Sequence, residues 1–218
     1  MNAGARRING ERSLESAVST PRHKVARRLS HESHRHRHAG RTGDDVHMET
    51  WDAIRARRNV RAFTDRPVVG DDLDRILEAG RRAPSASNWQ PWDFVVVTDR
   101  AQLQRLAGVW RGAGHVAGAA AAIAIVSPIA EDARHSNLLQ YDVGQATMAM
   151  AITAADLGLG TGHAAAEDQP LAREVLGFPE DRFLAYVLSV GYPADRPLKV
   201  IQRPDRRPLS DIVHYGRW

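Results

Sequence analysis

The chain has 218 residues, 43% of them hydrophobic, and a net charge of +4. That is enough apolar material for one domain with a sizeable core. It has no cysteine, which excludes disulfides, iron–sulfur clusters and thiolate zinc sites and fits a cytoplasmic protein. No apolar run reaches the eighteen residues a membrane span needs, and the N-terminus has no apolar core of a secretory signal.

The basic character sits at one end. Residues 1–47 carry ten Lys/Arg and five Asp/Glu, a net of +5, and residues 48–218 carry a net of −1. The tail has few large apolar residues and no sustained periodicity, which predicts a disordered segment. His31, His34, His36 and His38 are metal-ligating types, but in so polar a stretch they read as solvated, and no metal site is expected. Met48 stands where helical patterning begins. This makes the preceding residues a candidate upstream extension from a misplaced start codon.

From Thr50 the pattern is helical, with Trp51, Ile54 and Arg55 on one face. Residues 71–83 predict a second helix, with Leu73, Ile76 and Leu77 at helical spacing, acids in the first turn and Pro84 at its end. "DFVVVTD" reads as a strand, "RAQLQRLAGVW" as a short helix and "AAIAIV" as a strand buried on both faces. A long helix follows over 137–160, built of small and apolar residues for close packing on several sides and ended by Gly158 and Gly160. "QPLAREVLGF" predicts a further helix and "FLAYVLSVGYP" a strand. The last twenty-five residues, with three prolines, are expected to be mostly extended. Helices alternating with a few strands give a layered α/β (α+β) fold.

Four constellations carry possible chemistry. Arg55, Arg57, Arg58 and Arg61 fall within seven residues, a natural phosphate site or else a solvated helix end. Ser85, Ser87, Asn88 and Gln90 alternate with Trp89 and Trp92 just before a buried strand. Such amides read the edge of a heterocycle, and the plain alternative is a capped turn. "GLGTGHAAAEDQ" (158–169) is glycine-rich but lacks the strand-first context of a dinucleotide fingerprint and the lysine of a P-loop. Taken alone, His163 reads as structural rather than catalytic. Arg203, Arg206 and Arg207 close the chain. There is no nucleophile elbow, zinc motif or isolated carboxylate pair, so catalytic side chains of the chain's own are not expected. Such an enzyme borrows its chemistry from a cofactor.

These pieces occur in an order that resembles the FMN-dependent nitroreductase family. The matching stretches are "RRNVRAF", "APSASNWQPWDFVVV", "AADLGLGTG", "SVGYP" and "DRRPLSDIVHYGRW", spanning about residues 49–218. The resemblance implies a three-layer fold, a mixed central sheet flanked by helices, and an extended C-terminus. It implies FMN as cofactor and NADPH or NADH as co-substrate, with hydride passing through flavin N5 to electron-poor acceptors such as nitroaromatics or quinones. It places Arg57, Arg58 and Asn59 (where relatives often have Ser) at the phosphate and ribityl chain, and Arg61 near the flavin pyrimidine edge. Ser85, Asn88 and Gln90 match a loop that touches ribityl and ring. His163, Ala164 and Ala165 match a segment whose backbone meets the ring, and Arg206 or Arg207 a C-terminal phosphate ligand. The family is homodimeric, with each FMN bound by both chains. It also includes other flavin chemistry, such as dehalogenation and flavin fragmentation. The alternative from a different class is a nucleic-acid-associated protein acting through its basic tail. The near-neutral body makes nucleic acid the weaker partner, and no membrane partner is expected.

Overall fold

A computed structural model describes residues 48–218. The predicted tail, with its histidine run and basic charge, lies outside the described residues.

Five helices and four strands follow in the order α1 (Thr50–Ala56), α2 (Gly70–Arg81), β1 (Asp93–Val97), α3 (Arg100–Leu106), β2 (Ala121–Pro128), α4 (Ala133–Asp156), β3 (Gly160–Ala164), α5 (Gln169–Leu176) and β4 (Arg182–Gly191). Three helices start on an aspartate that takes up a free backbone N–H. Asp99 accepts from Gln102 N at 2.8 Å, Asp132 from His135 N at 2.8 Å and Asp168 from Leu171 N at 2.9 Å. Gly177, in the left-handed region at φ 73°, closes α5.

The strands pair in the order β1-β2-β4-β3, antiparallel throughout. The one parallel pairing among the described residues is the isolated bridge Asn59–Thr161, which makes the sheet mixed at that edge. Central strand β2 is buried along almost its whole length. Its side chains alternate between two cores, as the two-residue strand period dictates. Ala122, Ala124 and Val126 face Leu103 and Leu106 of α3 and Val175 of α5. Ile123 and Ile125 face Ile76 of α2 and Leu139, Val143 and Met150 of α4. Three layers result, with α3 and α5 on one face of the sheet and α2 and α4 on the other.

One helix face and one expected helix end are decided by packing. The face of α1 that carries Trp51 and Ile54 points outward, at 66% and 43% exposure, while Ala53 and Ala56 are buried. The packed side of α1, against α4, is built of alanines; small residues let the helices approach closely and leave the large ones outside. The glycine-rich stretch after α4 forms strand β3, in which Gly160 is the first residue. Propensity argues against this, since Thr161 alone is β-branched there. Pairing with β4, from Gly160–Gly191 to Ala164–Val187, overrides it.

Candidate functional site

The arginine segment leaves α1 at Arg57, whose ψ of 129° turns the backbone from helical to extended. The extended stretch then docks on the free edge of β3. Val60 N donates to Thr161 O at 2.8 Å. Val60 is fully buried against Ala155 and Leu198. It fits because β3 carries glycine at two positions. A Cβ on Gly160 would lie 2.5 Å from Val60 Cγ2, and one on Gly162 only 2.4 Å from the Val60 carbonyl oxygen. On the other side, Ala194 N donates to Ala62 O and Thr64 N to Tyr192 O, each at 2.9 Å. Residues 59–64 are therefore clamped at both edges, and the arginines ride on a fixed backbone.

Their guanidinium groups fare differently. Arg58 is committed within the chain, donating to Asp195 Oδ1 at 2.7 Å and to the Arg196 carbonyl at 2.8 Å. Among the described residues the guanidinium groups of Arg57 and Arg61 make no hydrogen bond or ion pair. Two half-buried histidines lie close by. Burial, and then the Arg57 charge, hold His163 below the ordinary histidine value. Burial dominates at His115 too, with Arg61 adding to it and the His163 backbone opposing it. Both rings are thus kept neutral where positive charge already collects.

His115 is tied to β3 through a neighbour. Its Nδ1 lies 2.9 Å from Ser189 Oγ, which donates to the Gly162 carbonyl at 3.2 Å. Among the described residues His115 Nε2 and the Thr161 hydroxyl are buried with no hydrogen-bond partner. Ala164 places its side chain in the α3–α5 core, which leaves only its backbone for a ligand. Ala165 follows directly beyond the strand, half-buried.

The loop of Ser85, Asn88 and Gln90 is strained. Ser87, Asn88 and Gln90 have φ of 50°, 56° and 53°, a region that costs a non-glycine residue about 1–2 kcal/mol. Internal bonds hold part of it: Ser85 Oγ accepts from Gln90 N at 2.8 Å, and Asn88 O from Gln90 Nε2 at 3.1 Å. Asp142 of α4 accepts from Ala86 N at 3.0 Å. Strain of this kind concentrates where a ligand is gripped.

The two halves of the site stand at different ends of α4. The loop is fastened at Asp142, and Val60 packs at Ala155. At 1.5 Å per residue these points are about 20 Å apart along the helix. Arg206 and Arg207 join neither half. Each donates to a local carbonyl, of Asp205 and Asp211, and residues 202–218 are exposed throughout.

Reading the sequence missed three residues here. Asp142 had a signal, as an acid in the middle of a helix of small and apolar residues. Ser189 and His115 had none; one looks like any strand serine, and the other is brought in by tertiary packing alone.

A helix-flanked antiparallel sheet with an arginine segment stitched to its edge defines an α+β fold shared with known oxidoreductases. A provisionally named NADH oxidase from Clostridium acetobutylicum superposes with a TM-score of 0.68 at 28% identity, covering 77% of this chain and 100% of the other. The NADPH:FMN oxidoreductase from Vibrio harveyi, solved with NAD+, gives a TM-score of 0.68 at 25% identity, covering 78% and 77%. Residues 54–125 match the model of the nitroreductase family. A relative from Archaeoglobus fulgidus, with the provisional name NADH dehydrogenase/NAD(P)H nitroreductase, is 33% identical over 169 residues, 76% of this chain and 96% of its own. The chain belongs to the nitroreductase family and is an enzyme.

Proposed function

We propose that this protein is an FMN-dependent oxidoreductase that takes hydride from NADPH or NADH and delivers it to small electron-poor acceptors, nitroaromatics or quinones among them. Its relatives support the cofactor: the Vibrio harveyi structure is named for FMN, and a 26% identical Bacillus subtilis protein is named an FMN reductase. The observation that carries the reading is Arg57, a guanidinium with no hydrogen-bond or ion-pair partner among the described residues, held near His163 by a backbone clamped on both edges. The residues present fit the cofactor. Free guanidinium groups suit a phosphate, and strained amides suit a heterocycle edge.

FMN, when bound, supplies the chemistry by accepting hydride at N5 and passing it on. The chain binds, orients and sets charge. Arg57 and Asn59 hold the phosphate and ribityl end. Arg58 is already spent on Asp195 and fixes the segment that presents Arg57. Arg61 sets positive charge at the pyrimidine edge, where developing negative charge is stabilised. The backbone of His163, Ala164 and Ala165 lies against the ring, with Ser85, Asn88 and Gln90 reading its edge and ribityl chain.

The functional unit is a homodimer, each site using the loop of one chain and the arginine segment of the other. The 20 Å that separates them within one chain is about the length of helix between residues 142 and 155. The exposed side of α4 supports this arrangement. It borders an open apolar cleft of about 630 Å³ lined by Tyr141, Gly144, Met148 and Ile152. The exposed C-terminal arm, with Arg206 or Arg207, reaches the partner. No helix among the described residues is long and apolar enough to cross a membrane, and use of a nicotinamide donor supports a cytoplasmic setting.

The test is spectroscopic and kinetic. Purified protein should be yellow, and NADPH or NADH should bleach it without an acceptor. Parallel initial-velocity lines with a nitroaromatic should follow. Colourless protein that gains no flavin on incubation with FMN contradicts the proposal.

A further inference from the structure

α4 carries a carboxylate where an alanine would be cheaper to bury. Asp142 is 1% exposed, and a charge taken from water is costly unless its oxygens are used. Among the described residues it has no cationic partner. Oδ2 accepts from Ala86 N at 3.0 Å, and Oδ1 from Gln145 Nε2 at 3.3 Å. Gln145 Nε2 also approaches the Pro84 carbonyl at 3.4 Å. Both oxygens are therefore turned toward the entry to the strained loop. Within the loop, the bonds from Asn88 N to Ser85 O, Gln90 N to Ser85 Oγ and Gln90 Nε2 to Asn88 O are all internal. These shape a turn but do not place it on the protein. The Asp142–Ala86 bond does, at the residue just before Ser87, where the left-handed backbone begins.

We infer that Asp142 is a positioning residue for flavin recognition: from inside α4 it fixes Ala86 and so presents Asn88 and Gln90 in the conformation that grips the ring and ribityl chain. This rests on the proposed flavin function. It predicts a signature unlike that of the phosphate arginine. FMN and riboflavin share the ring and ribityl chain, so loosening the loop must weaken both alike. Asp142 touches no ligand itself and acts through one backbone N–H.

The experiment is a fluorescence-quenching titration of FMN and of riboflavin into wild type, Asp142→Ala, Asp142→Asn, Ala86→Pro and the Asp142→Ala/Ala86→Pro double variant. Ala86→Pro removes the donor without touching α4. Ser85, at φ −145° and ψ 156°, is already extended as a residue before proline must be. Loss of a charged hydrogen bond predicts that Asp142→Ala weakens both flavins by the same factor, about tenfold or more. Asp142→Asn keeps a carbonyl acceptor and should recover most of this. Ala86→Pro should match Asp142→Ala, and the double variant should lose no more than either single, because both remove one interaction. If Asp142→Ala does not fold, Ala86→Pro and Asp142→Asn still carry the comparison. Wild-type affinity in Asp142→Ala, or losses that multiply in the double variant, overturns the inference while leaving the flavin reading standing. If wild type binds neither flavin, the functional reading fails and this inference with it.

Discussion

Val60 occupies the space that Gly162 leaves open. A Cβ on Gly162 would stand 2.4 Å from the Val60 carbonyl oxygen, 2.9 Å from Ser189 Oγ and 3.0 Å from His115 Cε1. A backbone oxygen cannot swing aside as a side-chain tip can. The arginine segment reaches the sheet edge only because this residue is glycine.

Gly162→Ala should therefore separate residues 59–60 from β3. Overpacking of this kind costs about 1–3 kcal/mol, or about 2–4 °C of melting temperature per kcal/mol for a chain of this size. Gly118→Ala is the control, since a Cβ there meets nothing within 4 Å. Thermal unfolding of both variants checks it. Equal melting temperatures would show that the glycine is not what admits Val60.

Acid should destabilise the fold through two histidines. His115 and His163 are both held below the ordinary value of 6.5, mainly by burial. As the pH drops below 6.5 the unfolded chain takes up protons that the folded one refuses, so stability falls. The loss levels off once the folded rings also protonate. The charged groups facing them are Arg57 and Arg61, and His163 also faces the His115 ring. Melting curves from pH 7.5 to 5 should show a shallower loss for His163→Gln and His115→Gln than for wild type. Identical slopes would remove the histidines from the account.

The C-terminal arm should be needed for assembly. Leu209, Tyr215 and Trp218 are 71%, 92% and 98% exposed, apolar surface that a second copy would cover. Deleting residues 203–218 should shift light scattering from dimer toward monomer and lower flavin content. A truncated protein that stays dimeric with full flavin would place the interface elsewhere.

The sequence showed most of the framework because that framework follows from local chemistry. The helical spacing of α2 and the apolar run of β2, a strand buried on two faces, are such local signals, whereas Asp132 starts α4 at Ala133, ahead of the expected 137. Where tertiary contact decided, the sequence was silent or pointed the wrong way. β3 exists because β4 and Val60 pair with it, against the preference of Gly-Thr-Gly. Trp51 and Ile54 form an apolar helix face that faces away from the core. In the site, residue types announced the arginine segment and the amide loop. Neighbouring arginines in the sequence could not reveal that Arg58 is tied to Asp195 while Arg57 has no such tie among the described residues, for that depends on where residue 195 returns.

The most direct test of the account is the affinity of Arg57→Ala for FMN and for riboflavin, set against wild type. A charged phosphate contact is worth about 1.5–3 kcal/mol, so FMN should weaken by about 10- to 100-fold. Arg57→Lys should recover only part of this, lacking the planar two-pronged contact. Riboflavin has no phosphate and should bind wild type and variant almost equally. Should Arg57→Ala weaken riboflavin as much as FMN, the arginine supports the fold rather than the phosphate, and the central claim is contradicted.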